Sequence, residues 1–198
     1  MKNYLTMLLT TLSIIISHAQ EFGFYGNIAM ANQHVTYFSP NAFFTNHFGF
    51  EYYSNKNKLI NYTIGTTFEK KGYNFLNSSG VEGQLRLKYI SIKGLVQVGN
   101  NKFYAQLGPY LGYAYNIENI FNGIVDEYYK DEMRRLEIGL STSLHQYLFS
   151  YKSISGYIRG EVNYALSNEY SGDFIDFDVY NRNYTYGLGL CLRWSYKD

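Results

Sequence analysis

The chain reads as an all-β protein, an eight-stranded antiparallel up-and-down transmembrane β-barrel, and three observations predict this. Apolar and polar residues alternate along eight segments: 22–30, 46–54, 59–70, 84–98, 102–115, 134–148, 154–167 and 183–196. The connections sort by parity, with 31–45, 71–83, 116–133 and 168–182 long and 55–58, 99–101 and 149–153 short. A soluble sheet, whose hairpins need only ~2–5 residues, has no reason for that sorting. A barrel threaded through an outer membrane does, because its tight turns face one compartment and its longer loops the other. The composition agrees: 23 Tyr, 14 Phe and 18 Gly stand against 2 Pro. Aromatic residues favour strands, and Tyr and Trp favour membrane interfaces.

Residues 1–19 read as a cleaved signal peptide. Lys2 is the positive n-region, Leu5–Ile16 is apolar, and Ser17-His18-Ala19 supplies the small residues that signal peptidase accepts. The apolar run is too short for a spanning helix, which takes about 20 residues. Residues 20–198 then form one barrel domain. The formal net charge is +1, and loss of Lys2 leaves a neutral chain, which argues against a nucleic-acid partner. Cys191 is the only cysteine, so no intramolecular disulfide is available.

Successive strand residues point to opposite faces. Segments 22–30 and 46–54 are the first two alternating runs. In 59–70, Ile60, Tyr62, Ile64 and Phe68 oppose Asn61, Thr63, Gly65, Thr67 and Glu69. Segment 84–98 changes parity, since Leu85 and Leu87 are odd whereas Ile90, Ile92, Val96 and Val98 are even. A β-bulge near Lys88 would reconcile them. Otherwise Arg86 and Lys88 lie beyond the hydrocarbon layer, at the headgroups. In 102–115, Phe103, Ala105, Leu107, Pro109, Leu111 and Tyr113 oppose Tyr104, Gln106, Gly108, Tyr110 and Gly112. Segment 134–148 sets Leu136, Ile138, Leu140, Leu144 and Leu148 against Glu137, Gly139, Ser141, Ser143 and His145. In 154–167, Ile154, Ile158, Val162, Tyr164 and Leu166 oppose Tyr157, Arg159, Glu161 and Asn163. The last segment sets Tyr184, Tyr186, Leu188, Leu190, Leu192, Trp194 and Tyr196 against Thr185, Gly187, Gly189, Cys191, Arg193 and Ser195.

Alternation alone does not say which face is inside, and a soluble lipocalin-like binding barrel would turn the apolar face inward. The Gly-, Ser- and Thr-rich polar face and the scarcity of mid-strand lysine favour the opposite sense. So do the aromatic residues near strand ends, Tyr52, Tyr53, Tyr62, Tyr104, Tyr115, Tyr184, Trp194 and Tyr196, which read as interfacial girdles. The lumen of so small a barrel is filled by side chains. The inward charges Glu51, Glu69, Glu137 and Glu161 then pair with Lys93, Arg159 and Arg193, as a salt-bridged plug or else a narrow ion path.

Phe103-Tyr104-Ala105-Gln106-Leu107-Gly108-Pro109-Tyr110-Leu111-Gly112-Tyr113 resembles the fifth strand of the PorT-like outer-membrane β-barrel family, where a Gly-Pro-Tyr-x-Gly-Tyr run is typical. Phe68-Glu69-Lys70-Lys71-Gly72 is similar to that family's strand end before its second outer loop. The closing stretch Tyr186-Gly187-Leu188-Gly189-Leu190-Cys191-Leu192-Arg193-Trp194 is similar to its Gly-rich terminal strand. The resemblance implies an eight-stranded barrel of the OmpA/OmpX type in the bacterial outer membrane. Lys93 stands where the family has a proline in the fourth strand. The family's namesake is associated with secretion and gliding, and no residue pattern here carries that role over.

The remaining candidates for chemistry are sparse. Some eight-stranded outer-membrane enzymes use a His-x-Ser pair. Here His47 and His145 lack it, and His34-Val35-Thr36 offers only a threonine. Cys191, among glycines, reads as packing. Asp173, Asp176 and Asp178, interleaved with Phe174 and Phe177, form an outer-loop interaction candidate, since apolar groups on outer loops mark contact surfaces. They could also meet lipopolysaccharide phosphates through a divalent cation, although the spacing is not that of an EF-hand. The expectation is a non-enzymatic outer-membrane barrel with no cofactor or resident metal, either structural in the envelope or presenting loops to a protein partner. A narrow channel or secretion-associated component is the alternative.

Overall fold

A computed structural model describes residues 21–35, 40–54, 60–76, 80–121, 123–126, 133–167 and 181–195. The expected leader and the loop residues Asp173, Phe174, Asp176, Phe177 and Asp178 lie outside these residues. The strands are β1 (Glu21–Val35), β2 (Phe43–Tyr53), β3 (Ile60–Leu76), β4 (Glu82–Gly99), β5 (Phe103–Phe121), β6 (Ile124–Asp126), β7 (Leu136–Tyr151), β8 (Ile154–Ala165) and β9 (Asn181–Ser195). Each long strand runs antiparallel to the next, and β1 pairs with β9 from Glu21–Ser195 to Val35–Asn181, so the sheet closes. The short β6 is an arm on the far end of β5, which leaves eight strands in the wall. Closure removes the unpaired edges that an open sheet would present.

The strands run further than the alternation suggests, mainly toward the end with connections 36–42, 77–81, 122–135 and 166–180, hereafter the upper end. There 31–45 shrinks to 36–42 and 71–83 to 77–81, whereas the lower connection 55–58 widens to 54–59. The contrast between long and short therefore survives only in the second half, where 122–135 and 166–180 stand against 100–102 and 152–153. Gly72 is one reason β3 continues past Lys70 and Lys71. Its φ of 119° suits glycine, and a Cβ there would collide with the Leu85 carbonyl oxygen.

The apolar face points outward on all eight strands. Ile28, Phe50, Ile64, Ile92, Leu111, Leu140, Val162 and Leu188 are exposed, while Glu51, Lys93 and Arg159 are at most 1% exposed inside. This is the reverse of a soluble binding barrel. The parity change in β4 is resolved without a bulge in that strand: burial alternates from Gly83 to Gln97 without interruption, odd residues inward. Leu85 and Leu87 are inside, whereas Arg86 and Lys88 face out. A register shift does sit opposite Lys88 and Tyr89, but the extra residue is Tyr115 on β5, which switches the inward residues of β5 from Ala114 to Ile117 and Asn119. At Pro109 the β4–β5 ladder lapses between Lys93–Tyr110 and Val96–Leu107 without changing register, as expected where a residue has no N–H to donate.

The girdle expectation needs correction at two positions. Tyr62, Tyr115 and Trp194 are exposed outward, but Tyr53 and Tyr104 are buried in the lumen. They share inward parity with Glu51 and Gln106, and parity decides the face whatever the position along the strand. Tyr25, Tyr73, Tyr89, Tyr110 and Tyr157 are buried as well, so tyrosine is as much a filler of this barrel as a girdle. Several of these rings lie across glycines of the next strand. Tyr25 pairs with Gly49 and Tyr110 with Gly139. A Cβ on Gly49 would lie 2.6 Å from the Tyr25 ring and from the Thr66 carbonyl oxygen. The Gly-rich polar face thus makes room for aromatic rings leaning across it.

Candidate functional site

Charge and hydrogen bonding concentrate in the lumen. Inward parity on each strand delivers the side chains, and register sets their levels. At the lower mouth, the Arg193 guanidinium donates to Gln97 Oε1 at 2.8 Å and lies 3.5 Å from Glu21 Oε2. Ser195 holds the other Glu21 oxygen at 2.7 Å. The same guanidinium sits over the rings of Tyr53 at 3.5 Å and Tyr104 at 4.1 Å, an arrangement that stabilises a cation out of water. Above it, His145 stacks on Tyr104, its Nδ1 2.5 Å from the phenol oxygen, and its Nε2 lies 3.0 Å from both Ser143 Oγ and Gln106 Oε1.

The middle of the lumen is ionic. Arg159 donates from Nη1 to Glu51 Oε1 at 2.6 Å and from Nε to Glu161 Oε2 at 3.0 Å, while lying over the Tyr25 ring at 3.7 Å. Lys93 pairs with the other Glu161 oxygen and reaches Asn163 Oδ1 at 3.1 Å. Tyr53 donates to Glu51, and Asn27 to Glu161 at 3.0 Å. One level up, Lys71 bridges Glu137 and Glu69, the latter at 3.2 Å. Tyr110 donates to Glu137 at 2.7 Å, Asn183 does so at 2.9 Å, and Ser91 donates to Glu69 at 2.5 Å.

All seven charged positions read from the sequence (Glu51, Glu69, Lys93, Glu137, Arg159, Glu161 and Arg193) therefore lie in this connected set. The sequence reading missed Lys71 and Glu21. Both sit on the inward parity of their strands, one step beyond where each strand was thought to end, so extending the alternation by a single residue would have found them. Among the described residues, the buried charged side chains are Glu21, Glu51, Glu69, Glu137 and Glu161 against Lys71, Lys93, Arg159, Arg182 and Arg193. Acids and bases balance, which a low-dielectric enclosure requires, because an uncompensated buried charge is costly.

On the β3–β5 side, from the level of Glu69 and Lys71 upward, the lumen changes character. Tyr73, Leu85, Leu87, Tyr89, Ala114, Ile117 and Met133 form a buried apolar cluster, with Phe75 packed against it. At the same height the outer wall turns polar, with Lys70, Arg86, Lys88 and Glu118.

Catalytic geometry is thin by comparison. The Ser143–His145 contact has Tyr104 on the far ring nitrogen rather than a carboxylate, and all three side chains are sealed inside. His34 is exposed near the end of β1, away from His145. His47 lies 3.9 Å from Glu69 within the charged set. Cys191 is buried, 3.7 Å from the Tyr53 hydroxyl. No group of three or more His, Cys, Asp or Glu among the described residues could hold a metal ion.

This geometry can be set beside solved structures. Neisserial surface protein A (NspA) matches with a TM-score of 0.55 at 14% sequence identity, covering 88% of this chain and 97% of that one. The fold is that of an eight-stranded outer-membrane barrel. Weaker likenesses are to Ail, the attachment invasion locus protein of Yersinia pestis, in complex with the heparin analogue sucrose octasulfate (TM-score 0.48, 14% identity, 88% of this chain and 98% of that one), and to the outer membrane protein AlkL in DMPC lipid bilayers (0.40, 7%, 91% and 93%). No protein-family model and no curated protein matches the chain. The likeness to NspA shows the fold alone, and the PorT-like resemblance rests on the three stretches quoted from the sequence, of which the Gly-Pro-Tyr run is the distinctive one.

Proposed function

We propose that this protein is a non-enzymatic barrel of the bacterial outer membrane, delivered by its leader, whose filled wall is a rigid scaffold for the upper connections. One observation carries the reading: along β3, β4 and β5, inside and outside exchange polarity at a single height. Below Lys88 the outer face is apolar and the inner face charged. Beyond Lys71, which still faces inward opposite Leu87, the inner face is mainly apolar, with Tyr73, Leu85 and Ile117, while Gln84, Arg86, Lys88 and Glu118 face outward. A water-soluble barrel has no cause for that exchange, whereas a barrel leaving a hydrocarbon layer for water does. The apolar outer run on β4, Ile90 to Val98, rises roughly 20 Å at ~3.3 Å per residue and ~40° tilt, close to the apolar band of such barrels, about 25 Å. The balanced ion pairs support a plug that fixes strand register, since each carboxylate finds its cation only in the native pairing. The upper connections, with Asp173, Phe174, Asp176, Phe177 and Asp178, are the surface offered to a protein partner or to lipopolysaccharide.

Gel electrophoresis and fractionation test the location. The folded protein is expected in the outer-membrane fraction, and an unboiled sample is expected to migrate apart from a boiled one. Identical mobility with recovery in the soluble fraction defeats the proposal. Planar-bilayer recordings separate plug from channel: no conductance steps are expected, and reproducible unitary steps would favour an ion path through the lumen.

A further inference from the structure

We infer that the outer wall carries a binding site for the phosphate of an anionic lipid, at the upper edge of the apolar band between β3 and β4. The inference rests on the membrane reading above. Lys70 and Lys88 are direct cross-strand partners on the outer face. Like charges in that position repel, so the pair is a standing cost unless an anion sits between them. Arg86 lies two residues further along the same face, level with Gly72.

Neutralisation within the protein is incomplete. Lys88 meets Glu118 at 3.0 Å, with both side chains about one-third exposed (34% and 31%). Lys70 is exposed and has no hydrogen-bond or ion-pair partner among the described residues. Arg86 is held in place by four neutral acceptors, the carbonyls of Tyr73 and Leu85 and the side chains of Asn74 and Gln84, and it lies 4.0 Å over the Phe43 ring. No carboxylate pairs with it among the described residues. Three cations thus face one acid.

The shape is equally suggestive. A recess of about 500 Å³ opens here, and its lining includes Phe43, Phe44, Lys70, Arg86, Lys88 and Glu118. Phe44 is 76% exposed, and the stacked rings of Phe48 and Phe68 continue the apolar wall downward. A headgroup phosphate placed between Lys70 and Lys88 would let its acyl chains run down this aromatic strip. A free anion could use the lysines but would leave the strip uncovered, so the occupant is a phosphorylated lipid.

The test uses the full chain folded in zwitterionic micelles, with native mass spectrometry counting bound lipid. The probes are bisphosphorylated lipid A, the same lipid with its phosphates removed, and inorganic phosphate. Phosphorylated lipid is expected to be retained and the other two lost. The double substitution Lys70→Gln/Lys88→Gln should weaken retention about tenfold or more, because it removes two of the three cations that face the phosphate. Glu118→Gln, which frees Lys88, should strengthen it. Equal retention of dephosphorylated lipid, inorganic phosphate binding as tightly as lipid, or indifference to the double substitution would overturn the site. If the unsubstituted chain fails to show the heat-dependent gel shift, the fault lies with the membrane reading and not with the site.

Discussion

Below the level of Lys88, the inner faces of β3, β4 and β5 carry Glu69, Ser91, Lys93 and Gln106; above it, the same three strands turn Tyr73, Leu85, Leu87 and Ile117 inward. The lower stretch is closed by ion pairs and the upper by an ordinary apolar core. The two differ in what lies outside. Where the outer face is apolar, burying more apolar groups inside gives no preference for one arrangement over another, and matched charges decide the packing. Where the outer face carries Arg86, Lys88 and Glu118, the membrane reading puts headgroups and water outside, and the hydrophobic effect then again favours apolar groups inside.

Breaking one side of each arrangement sharpens the contrast. The largest loss is expected from Arg159→Met, which strands Glu51 without its cation and leaves Glu161 with Lys93 alone. Unfolding by urea in lipid vesicles should show about 3–5 kcal/mol of destabilisation, as for other half-broken buried pairs. Leu87→Ala, in the apolar section, should cost about 3 kcal/mol through the cavity it leaves, in the same assay. No loss from an isosteric polar change at Leu87, together with none from Arg159→Met, would show that the two sections had been assigned the wrong roles.

The outer face gives the smaller effects. Ile92→Arg, two rows below Lys88, should cost about 2 kcal/mol, because a charge on the lipid face is disfavoured by its depth. Gln84→Arg, two rows above Lys88, should change stability by about 0–1 kcal/mol, since it lies at or beyond the headgroups. Equal costs at the two positions would remove the proposed boundary at Lys88.

Much of this was legible along the chain. Alternation assigned Glu51, Glu69, Lys93, Glu137, Arg159, Glu161 and Arg193 to one face, and side-chain geometry in a strand leaves no other choice once register is uninterrupted. The tyrosines were misread because a phenol suits a wet interface and a polar lumen equally: Tyr53 and Tyr104 met Glu51 and His145 rather than headgroups. Lys71 was missed because Lys70-Lys71-Gly72 looks like a strand end, and only its ties to Glu69 and Glu137 show that the strand continues.

From the sequence alone came the strand number, the two faces and the residue types on each, because these follow from a period of two and from composition. Which glutamate meets which cation did not, since those partners lie as far apart in the chain as Glu51 and Arg159 and come together only on closure. The place where inside and outside exchange character was likewise a property of the assembled wall. In β4 alone it resembled a bulge, and only the assembled wall shows that the alternation of β4 is unbroken and that the extra residue is Tyr115 on β5.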